Sequence, residues 1–163
     1  MRPLTEPEIR AAFVNCTKGA AKRLPVPNDL ADHPWADLDY FGWRDPQSSE
    51  RAYLVADLDT GPTALTLRRP TAGPAFPRRG MCSICVTPHT GGVSLMVAPK
   101  AGRAGQQGNS VGVHICDDLA CSLYARGKRS PRGGARLHES ITTEERVGRT
   151  VANIAEFIQR VRA

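Results

Sequence analysis

Two short stretches decide the fold of this chain: residues 81–85 read MCSIC, and residues 114–121 read HICDDLAC. Together they hold four of the five cysteines, with the spacing C-x2-C-x30-C-x4-C. A C-x2-C turn brings two sulfurs to the same side of the chain, and zinc takes four thiolate ligands in a tetrahedron. The spacing therefore predicts one structural Zn²⁺ held by Cys82, Cys85, Cys116 and Cys121.

Other interpretations of these cysteines remain open from the sequence. Four separate buried thiols would leave their pairing along the chain unexplained, and a redox C-x2-C would leave Cys116 and Cys121 without a role. His114 lies two residues before Cys116 and would share its face on an alternating strand, so it is a second candidate for that ligand position. His89 is interpreted as a loop residue. Because four cysteines complete a tetrahedron, no zinc-bound water is expected.

The residues around the cysteines predict a treble clef, in which a knuckle is followed by a β-hairpin and a helix. Residues 92–98 and 110–115 are β-type runs, and the apolar residues of the second run alternate with polar ones. Residues 99–109 between them predict a flexible basic loop. A helix is expected to begin near Asp117 and to end at Gly127, with Cys116 just before it and Cys121 in its second turn.

Residues on both sides of this motif predict further elements. Residues 51–57 and 64–68 flank the turn signal Asp59-Thr60-Gly61-Pro62 and predict an additional β-hairpin. Thr142 and Glu145 form a capping box ahead of a C-terminal helix. The apolar stripe predicted for that helix consists of Val147, Val151, Ile154, Ala155, Ile158 and Val161.

The N-terminal part is expected to be less regular. Thr5 and Glu8 resemble a capping box for a first helix, whose apolar face would carry Cys16 as a core thiol. Residues 24–50 are rich in Pro, Asp and Trp and predict an irregular connection, anchored in the core by Trp35 and Trp43. We therefore divide the chain into two parts: residues 1–50 are an N-terminal helix with an irregular extension, and residues 51–163 are the zinc-binding domain.

The predicted fold class is α+β: a treble-clef zinc finger with an additional β-hairpin and with N- and C-terminal helices. The net charge of +6 indicates an anionic partner, either RNA or an acidic protein surface. No run reaches the roughly 18 apolar residues of a membrane span, and the first residues lack a signal-peptide pattern, so a cytoplasmic protein is expected. The motifs G-x-S-x-G, P-loop and H-E-x-x-H are absent from the sequence, and no enzyme is expected.

Several segments resemble a known family. MCSIC at residues 81–85, KAGRAG at 100–105 and NSVGVHICDDLACSLY at 109–124 are similar to the treble-clef zinc-finger domain of the FusB-type elongation factor G-binding proteins. Residues 15–19 and 41–46 resemble short, single-domain members from actinobacteria. The resemblance implies that the four paired cysteines bind zinc. It also implies that the finger binds translation elongation factor G and helps to release it from ribosomes stalled by fusidic acid, without destroying the drug.

The chain departs from the better-known members of that family, which carry a separate helical bundle ahead of the finger. It has too few residues before the finger for such a bundle, so a housekeeping role and a resistance role both remain open. The expected partner is elongation factor G, with the ribosome or its RNA as a further partner, and a monomer without a small-molecule substrate is expected. The alternatives are a finger that binds ribosomal or other RNA through residues 100–109 and 126–136, and a purely structural zinc domain of a larger complex.

The predicted partner surface is the rim of the finger, where basic side chains would speed the encounter with an anionic partner. It combines residues of the knuckle, of the loop between the two finger strands and of the following helix. These residues are Ser83, Ile84, Lys100, Arg103, Gln107, Tyr124, Arg126 and Lys128.

Overall fold

The computed structural model describes residues 1–69, 79–131, 133 and 139–163. The helices are α1 (Glu6–Ala11), α2 (Lys18–Arg23), α3 (Gly102–Gln106), α4 (Cys121–Ala125) and α5 (Thr143–Arg162). The strands are β1 (Tyr40–Asp45), β2 (Ser48–Leu58), β3 (Gly61–Arg68), β4 (Arg79–Met81), β5 (Pro88–Thr90), β6 (Val93–Pro99) and β7 (Ser110–Cys116). Two single 3-10 turns, Leu30–Asp32 and Trp35–Asp37, precede β1.

The strands form two antiparallel sheets. The larger sheet has the order β1-β2-β3-β6-β7, and the smaller one pairs β4 with β5. The turn between β2 and β3 closes at the pair Leu58 and Gly61, where Gly61 has a φ of 98° that favours glycine. The hairpin β2–β3 and the finger hairpin β6–β7 confirm the two hairpins expected from the sequence, and the α+β class with a treble clef is confirmed as well.

The larger sheet lies between two hydrophobic cores, because successive side chains of a strand point to opposite faces. On one face, Leu54 of β2 joins a core that contains the four paired cysteines and Ile154 of α5. On the other face, Tyr53 and Val55 join a core built with the N-terminal segments. Both faces of the centre of β2 are therefore buried.

Trp35 and Trp43 are core anchors, as predicted, with exposed fractions of 6% and 7%. Their indole N–H groups donate to the carbonyls of Leu30 at 2.6 Å and Pro25 at 2.7 Å. The ring of Phe41 stacks on Trp43 with a centroid distance of 5.3 Å. Each indole thus buries its apolar ring while its polar atom keeps a hydrogen bond.

The interpretation of residues 24–50 as irregular is wrong at its C-terminal end, because β1 pairs with β2 throughout its length. The Pro, Asp and Trp content that favours an irregular connection does not show that the glycine in the middle of β1 fits a strand. A Cβ at Gly42 would lie 2.6 Å from the Cβ of Leu119, so glycine is what allows this strand to approach the cysteine-bearing turn. β1 thereby joins residues 1–50 to the sheet of the remaining chain.

The first helix is shorter than predicted. The capping box of Thr5 and Glu8 is present, but α1 ends at Ala11, and Phe13 then bridges to β3. Because α2 begins at Lys18, Cys16 lies in the connection between two helices and is only partly buried. It is therefore not on the apolar face of a helix, which corrects the sequence interpretation.

Asn15 connects this N-terminal segment to the finger hairpin. β3 and β6 pair at Arg68 and Val97, and beyond that point the side-chain amide of Asn15 bridges them. It donates to the carbonyls of Thr66 and Pro99, each at 3.0 Å, and its oxygen accepts from the backbone N–H of Thr66 at 2.8 Å. One side chain thus replaces ladder hydrogen bonds where the two strands separate.

The C-terminal helix α5 and its capping box of Thr142 and Glu145 are confirmed. Its buried face differs in part from the predicted stripe, because Val151 is 42% exposed whereas Thr150 and Phe157 are buried. The hydroxyl of Thr150 donates to the carbonyl of Arg146 at 2.9 Å, which satisfies a polar group inside the core.

In the part of the chain described here, no helix combines the length and the apolar character that crossing a membrane requires.

Candidate metal centre

The four predicted ligands converge in the interior. Their exposed fractions are between 0% and 3%, and their sulfurs all lie within 4.8 Å of one another. The sulfurs of Cys82 and Cys121 are 3.5 Å apart, and those of Cys85 and Cys116 are 3.6 Å apart. A tetrahedral zinc with Zn–S bonds of about 2.3 Å needs sulfur separations of about 3.8 Å. The cluster therefore fits one Zn²⁺, and its sulfurs are too far apart for disulfides.

β4 and β5 carry the first ligand pair on a tight knuckle. The backbone N–H of Val86 donates to the carbonyl of Cys82 at 2.9 Å and closes the turn. The N–H groups of Ile84 and Cys85 donate to the sulfur of Cys82 at 3.3 and 3.5 Å, which favours its thiolate form. Val86 itself has a φ of 56°, a left-handed conformation that β-branched residues rarely adopt.

The end of β7 and the start of α4 carry the second ligand pair. After Cys116 the chain turns through Leu119, which has a φ of 57°, and Asp118 accepts from the N–H of Ala120 at 3.1 Å. This turn delays the helix, which the sequence predicts to begin near Asp117. Cys121 is consequently the first residue of α4 and does not lie in its second turn.

The electrostatics of the cluster fit a bound cation. Burial raises the pKa of the Cys121 thiol. Hydrogen bonds from Cys116 and Cys121 lower the pKa of Cys82, so one thiolate would be shared among neighbouring thiols. Four thiolates in one buried cluster need a divalent cation to offset their repulsion, and the four cysteines hold a single structural zinc ion.

α5 packs against the knuckle and is bonded to its backbone. The side-chain amide of Asn153 donates to the carbonyls of Ser83 at 3.2 Å and Ile84 at 2.9 Å. The side chain of Ile84 is only 1% exposed, so it packs in the core and is not available to a partner. The assignment of Ile84 to a binding surface is corrected on that ground, while Ser83 is exposed.

Tyr40 of β1 is 1% exposed and packs in the core that contains the four cysteines. Burial raises the pKa of its hydroxyl well above the usual value, and the negative charge of Cys121 beside it acts in the same direction. The phenol therefore stays neutral next to the sulfur cluster. The N-terminal segment thus takes part in enclosing the metal.

His89 contacts the centre, although the sequence interpretation places it in a loop. It lies in β5, is 3% exposed, and its Nε2 is 3.4 Å from the sulfur of Cys116. Its ring meets the edge of Tyr124 at a centroid distance of 4.7 Å. A Cβ at Gly92 would lie 2.9 Å from Nδ1 of His89, so glycine at that position makes room for the ring. With zinc bound, an N–H at Nε2 of this imidazole would donate to the Cys116 thiolate and orient that ligand.

His114, the alternative ligand, is exposed on β7 opposite Leu95. The strand alternation that would have placed it beside Cys116 breaks at the end of β7, where Ile115 and Cys116 are both buried. Within the described residues, the group that can hold a metal consists of the four cysteines alone.

Replacing His89 by alanine is expected to weaken zinc binding by about 10- to 100-fold, because the sulfur of Cys116 loses its imidazole partner. Competition with a chromophoric chelator measures this change. His114→Ala is the matched control, since the side chain of His114 is exposed and does not belong to the metal-holding group, and its zinc affinity should equal that of the wild type. Equal zinc affinities for the two variants would show that His89 does not support the metal.

The residues of the predicted partner surface do not form one surface. Val93 lies opposite Cys116 at one end of the finger hairpin, and Pro99 lies opposite Ser110 at the other. The rise of a strand separates these ends by about 20 Å. Ser83, Tyr124, Arg126 and Lys128 belong to the zinc end, whereas Lys100, Arg103 and Gln107 belong to the tip.

Most of the zinc-end residues in this set already have intramolecular partners. The hydroxyl of Tyr124 donates to Asp118 at 2.8 Å. Arg126 makes two bonds to Asp39 at 2.6 and 2.7 Å, and Lys128 contacts Asp37 at 2.6 Å. These contacts reduce their availability to a partner. Arg132 and Arg136 of the predicted basic linker lie outside the described residues.

No curated protein sequence matches the chain. Among solved structures, the chain is similar to the structure of the fusidic acid resistance protein FusC, with a TM-score of 0.47 and 22% sequence identity. That alignment covers 62% of this chain and 45% of FusC, so the chain spans less than half the length of that structure.

A family model described as the FBP C-terminal treble-clef zinc-finger matches residues 8–161, which is nearly the whole chain. The match includes all four zinc ligands and the elements that position them, from α1 to α5. The chain therefore belongs to the FBP C-terminal treble-clef zinc-finger family.

Proposed function

We propose that this chain is a binding module for translation elongation factor G and that it promotes release of the factor from the ribosome, rather than acting as an enzyme. The observation that carries the proposal is the family match across residues 8–161. The resemblance of residues 81–124 to the elongation factor G-binding proteins is the reason for proposing elongation factor G as the partner. In this proposal the protein is a cytoplasmic monomer that binds one copy of the factor.

The chemistry of the metal centre supports binding rather than catalysis. Four cysteines occupy all four positions of a tetrahedral zinc, so the metal offers no site for a substrate or a reactive water. The ion instead fixes the knuckle relative to β7 and α4. A surface fixed in this way loses less entropy when a partner binds.

The exposed side of the knuckle supports a protein partner at the zinc end. The side chain of Met81, directly before Cys82, is 49% exposed, and Ser83 beside it is also exposed. Methionine is enriched at protein interfaces, where its flexible side chain adapts to the partner. We place the contact with elongation factor G on Met81 and Ser83.

Met81→Ser is expected to weaken binding to purified elongation factor G at least tenfold, about 1.4 kcal/mol, because an apolar anchor is removed. Isothermal titration calorimetry measures the affinity. The matched control is Val151→Ser, which removes a side chain of similar exposure, 42% against 49%, from α5. Both variants should keep one zinc and a melting temperature near that of the wild type.

Two results would count against this proposal. A folded, zinc-loaded wild-type protein that gives no binding heat with elongation factor G would exclude the factor as partner. Equal affinities for the Met81→Ser and Val151→Ser variants would instead place the contact away from the knuckle.

A further inference from the structure

The tip of the finger hairpin is a compact turn, which corrects the expectation of a flexible loop. The N–H of Lys100 donates to the carbonyl of Asn109 at 2.9 Å, and the N–H of Asn109 donates to the carbonyl of Ala104 at 3.1 Å. A Cβ at Gly105 would lie 1.8 Å from the carbonyl oxygen of Lys100, so only glycine allows this closure. Side chains on the tip are therefore presented from an ordered backbone.

The C-terminal end of α5 reaches the same tip. The N–H of Ala101 donates to the carbonyl of Val161 at 2.8 Å. Val161 is buried, while Arg160 and Arg162 on either side of it are exposed. This backbone hydrogen bond places the last turn of α5, which carries both arginines, next to the start of the hairpin tip. We call the resulting group the hairpin-tip surface, and it consists of Lys100, Arg103, Arg160 and Arg162.

The side chains of the hairpin-tip surface form no ion pair in the described structure. Residues 99–110 and 157–163 contain no Asp or Glu, and the nearest side-chain carboxylate along α5 is Glu156, one helical turn before Arg160. Among the described residues, no ion pair involves any of the four cations, whereas Arg126 and Arg149 are paired with carboxylates. Like charges held together repel one another, and an anionic partner relieves that repulsion.

The lack of apolar surface at the tip identifies the kind of anion. The large hydrophobic side chains that are exposed in the described parts of the chain are Met81, Leu95 and Val151, and none of them belongs to the tip. Protein interfaces have apolar or aromatic centres, whereas nucleic-acid interfaces are more polar and more positively charged. The tip therefore matches a row of phosphates better than a protein surface.

We propose that the hairpin-tip surface binds the phosphate backbone of RNA without reading its sequence. The tip segments 99–110 and 159–163 contain no aromatic residue that would stack on a base, so the contact is to phosphates. This site is separate from the knuckle by the length of the finger hairpin. The chain has room for a protein partner at its zinc end and for RNA at its tip.

The test compares two double variants that each remove two positive charges. Lys100→Ala with Arg103→Ala changes the tip. Lys22→Ala with Arg23→Ala is the control, because both residues are exposed at the end of α2 and have no ion pair among the residues that the structure describes. Fluorescence anisotropy with a labelled RNA duplex of about 16 base pairs measures affinity between about 50 and 200 mM salt.

The tip variant is expected to bind this RNA at least tenfold more weakly at the lowest salt. Its plot of log affinity against log salt should be shallower by about two, because each of the two removed cations no longer neutralises a phosphate. The control should lie within twofold of the wild type, and both variants should keep one zinc. Calorimetry with elongation factor G, run in parallel, should show no change for the tip variant.

Three outcomes would overturn the proposal. A wild-type protein without salt-dependent RNA binding has no such site. Equal decreases in RNA affinity for the tip and control variants would mean that net charge alone attracts RNA. A tip variant whose affinity falls for elongation factor G but not for RNA would assign the hairpin-tip surface to the protein partner. The RNA titration is independent of the factor, so failure of one proposal is distinguishable from failure of the other.

Discussion

Replacing Cys116 by serine is expected to abolish zinc binding and to unfold the protein. Structural zinc contributes an apparent free energy of about 10–16 kcal/mol in zinc-finger peptides. That amount is comparable to the roughly 5–15 kcal/mol by which a whole domain is stable. Metal analysis of the purified variant should fall from about one zinc per chain to near zero, and circular dichroism should show no cooperative thermal transition.

The fifth cysteine provides the matched control. Cys16 lies in the connection between α1 and α2, is only partly buried, and does not belong to the sulfur cluster. Cys16→Ser should therefore keep one zinc per chain and melt close to the wild type. A Cys116→Ser protein that folds cooperatively without metal would contradict a structural role for the zinc.

Ile154→Asp is expected to lower the free energy of unfolding by several kcal/mol. The side chain is 1% exposed and belongs to the core that contains the four cysteines, so the carboxylate would be buried without a partner. Urea denaturation followed by circular dichroism measures the decrease. The result should be visible even with saturating zinc, because the metal does not compensate for a charge in the core.

Val151→Asp in the same helix is the control for that substitution. Val151 is 42% exposed, so the new carboxylate stays in water, and the expected change is within about 0.5 kcal/mol. If the two variants unfold at the same urea concentration, α5 does not pack on the finger in solution. The comparison thus tests which face of α5 is buried.

The metal centre was predictable from sequence because its determinants are local. Thiolates in closely spaced pairs are sufficient to define a zinc site, and the two capping boxes define helix starts from residues three apart. The features that the sequence did not predict depend on residues that are brought into contact only by the fold. The fit of Gly42 in β1 depends on its contact with Leu119, and the burial of Thr150 depends on the hydrogen bond from its hydroxyl to the carbonyl of Arg146.

The same reason explains why the sequence does not show which charges of the predicted partner surface are paired within the chain. Arg126 and Lys128 form a basic cluster in the sequence, yet their counter-charges, Asp39 and Asp37, are 87 and 91 residues away along the chain. His89 carries no spacing signal, because its role depends on a fold that brings β5 against Cys116. Pairing of charges and contacts to metal-bound sulfur are properties of the tertiary structure, and one-dimensional patterns do not contain them.

The backbone of the two ligand turns has a consequence for how the metal leaves. Val86 follows the first cysteine pair and Leu119 lies between the members of the second, and their φ values are 56° and 57°. A left-handed conformation costs roughly 1–2 kcal/mol for a residue with a side chain. Zinc–sulfur bonds would offset that cost at both turns, so we expect each turn to relax when the ion is lost. Release of the ion and rearrangement of the backbone would then be coupled.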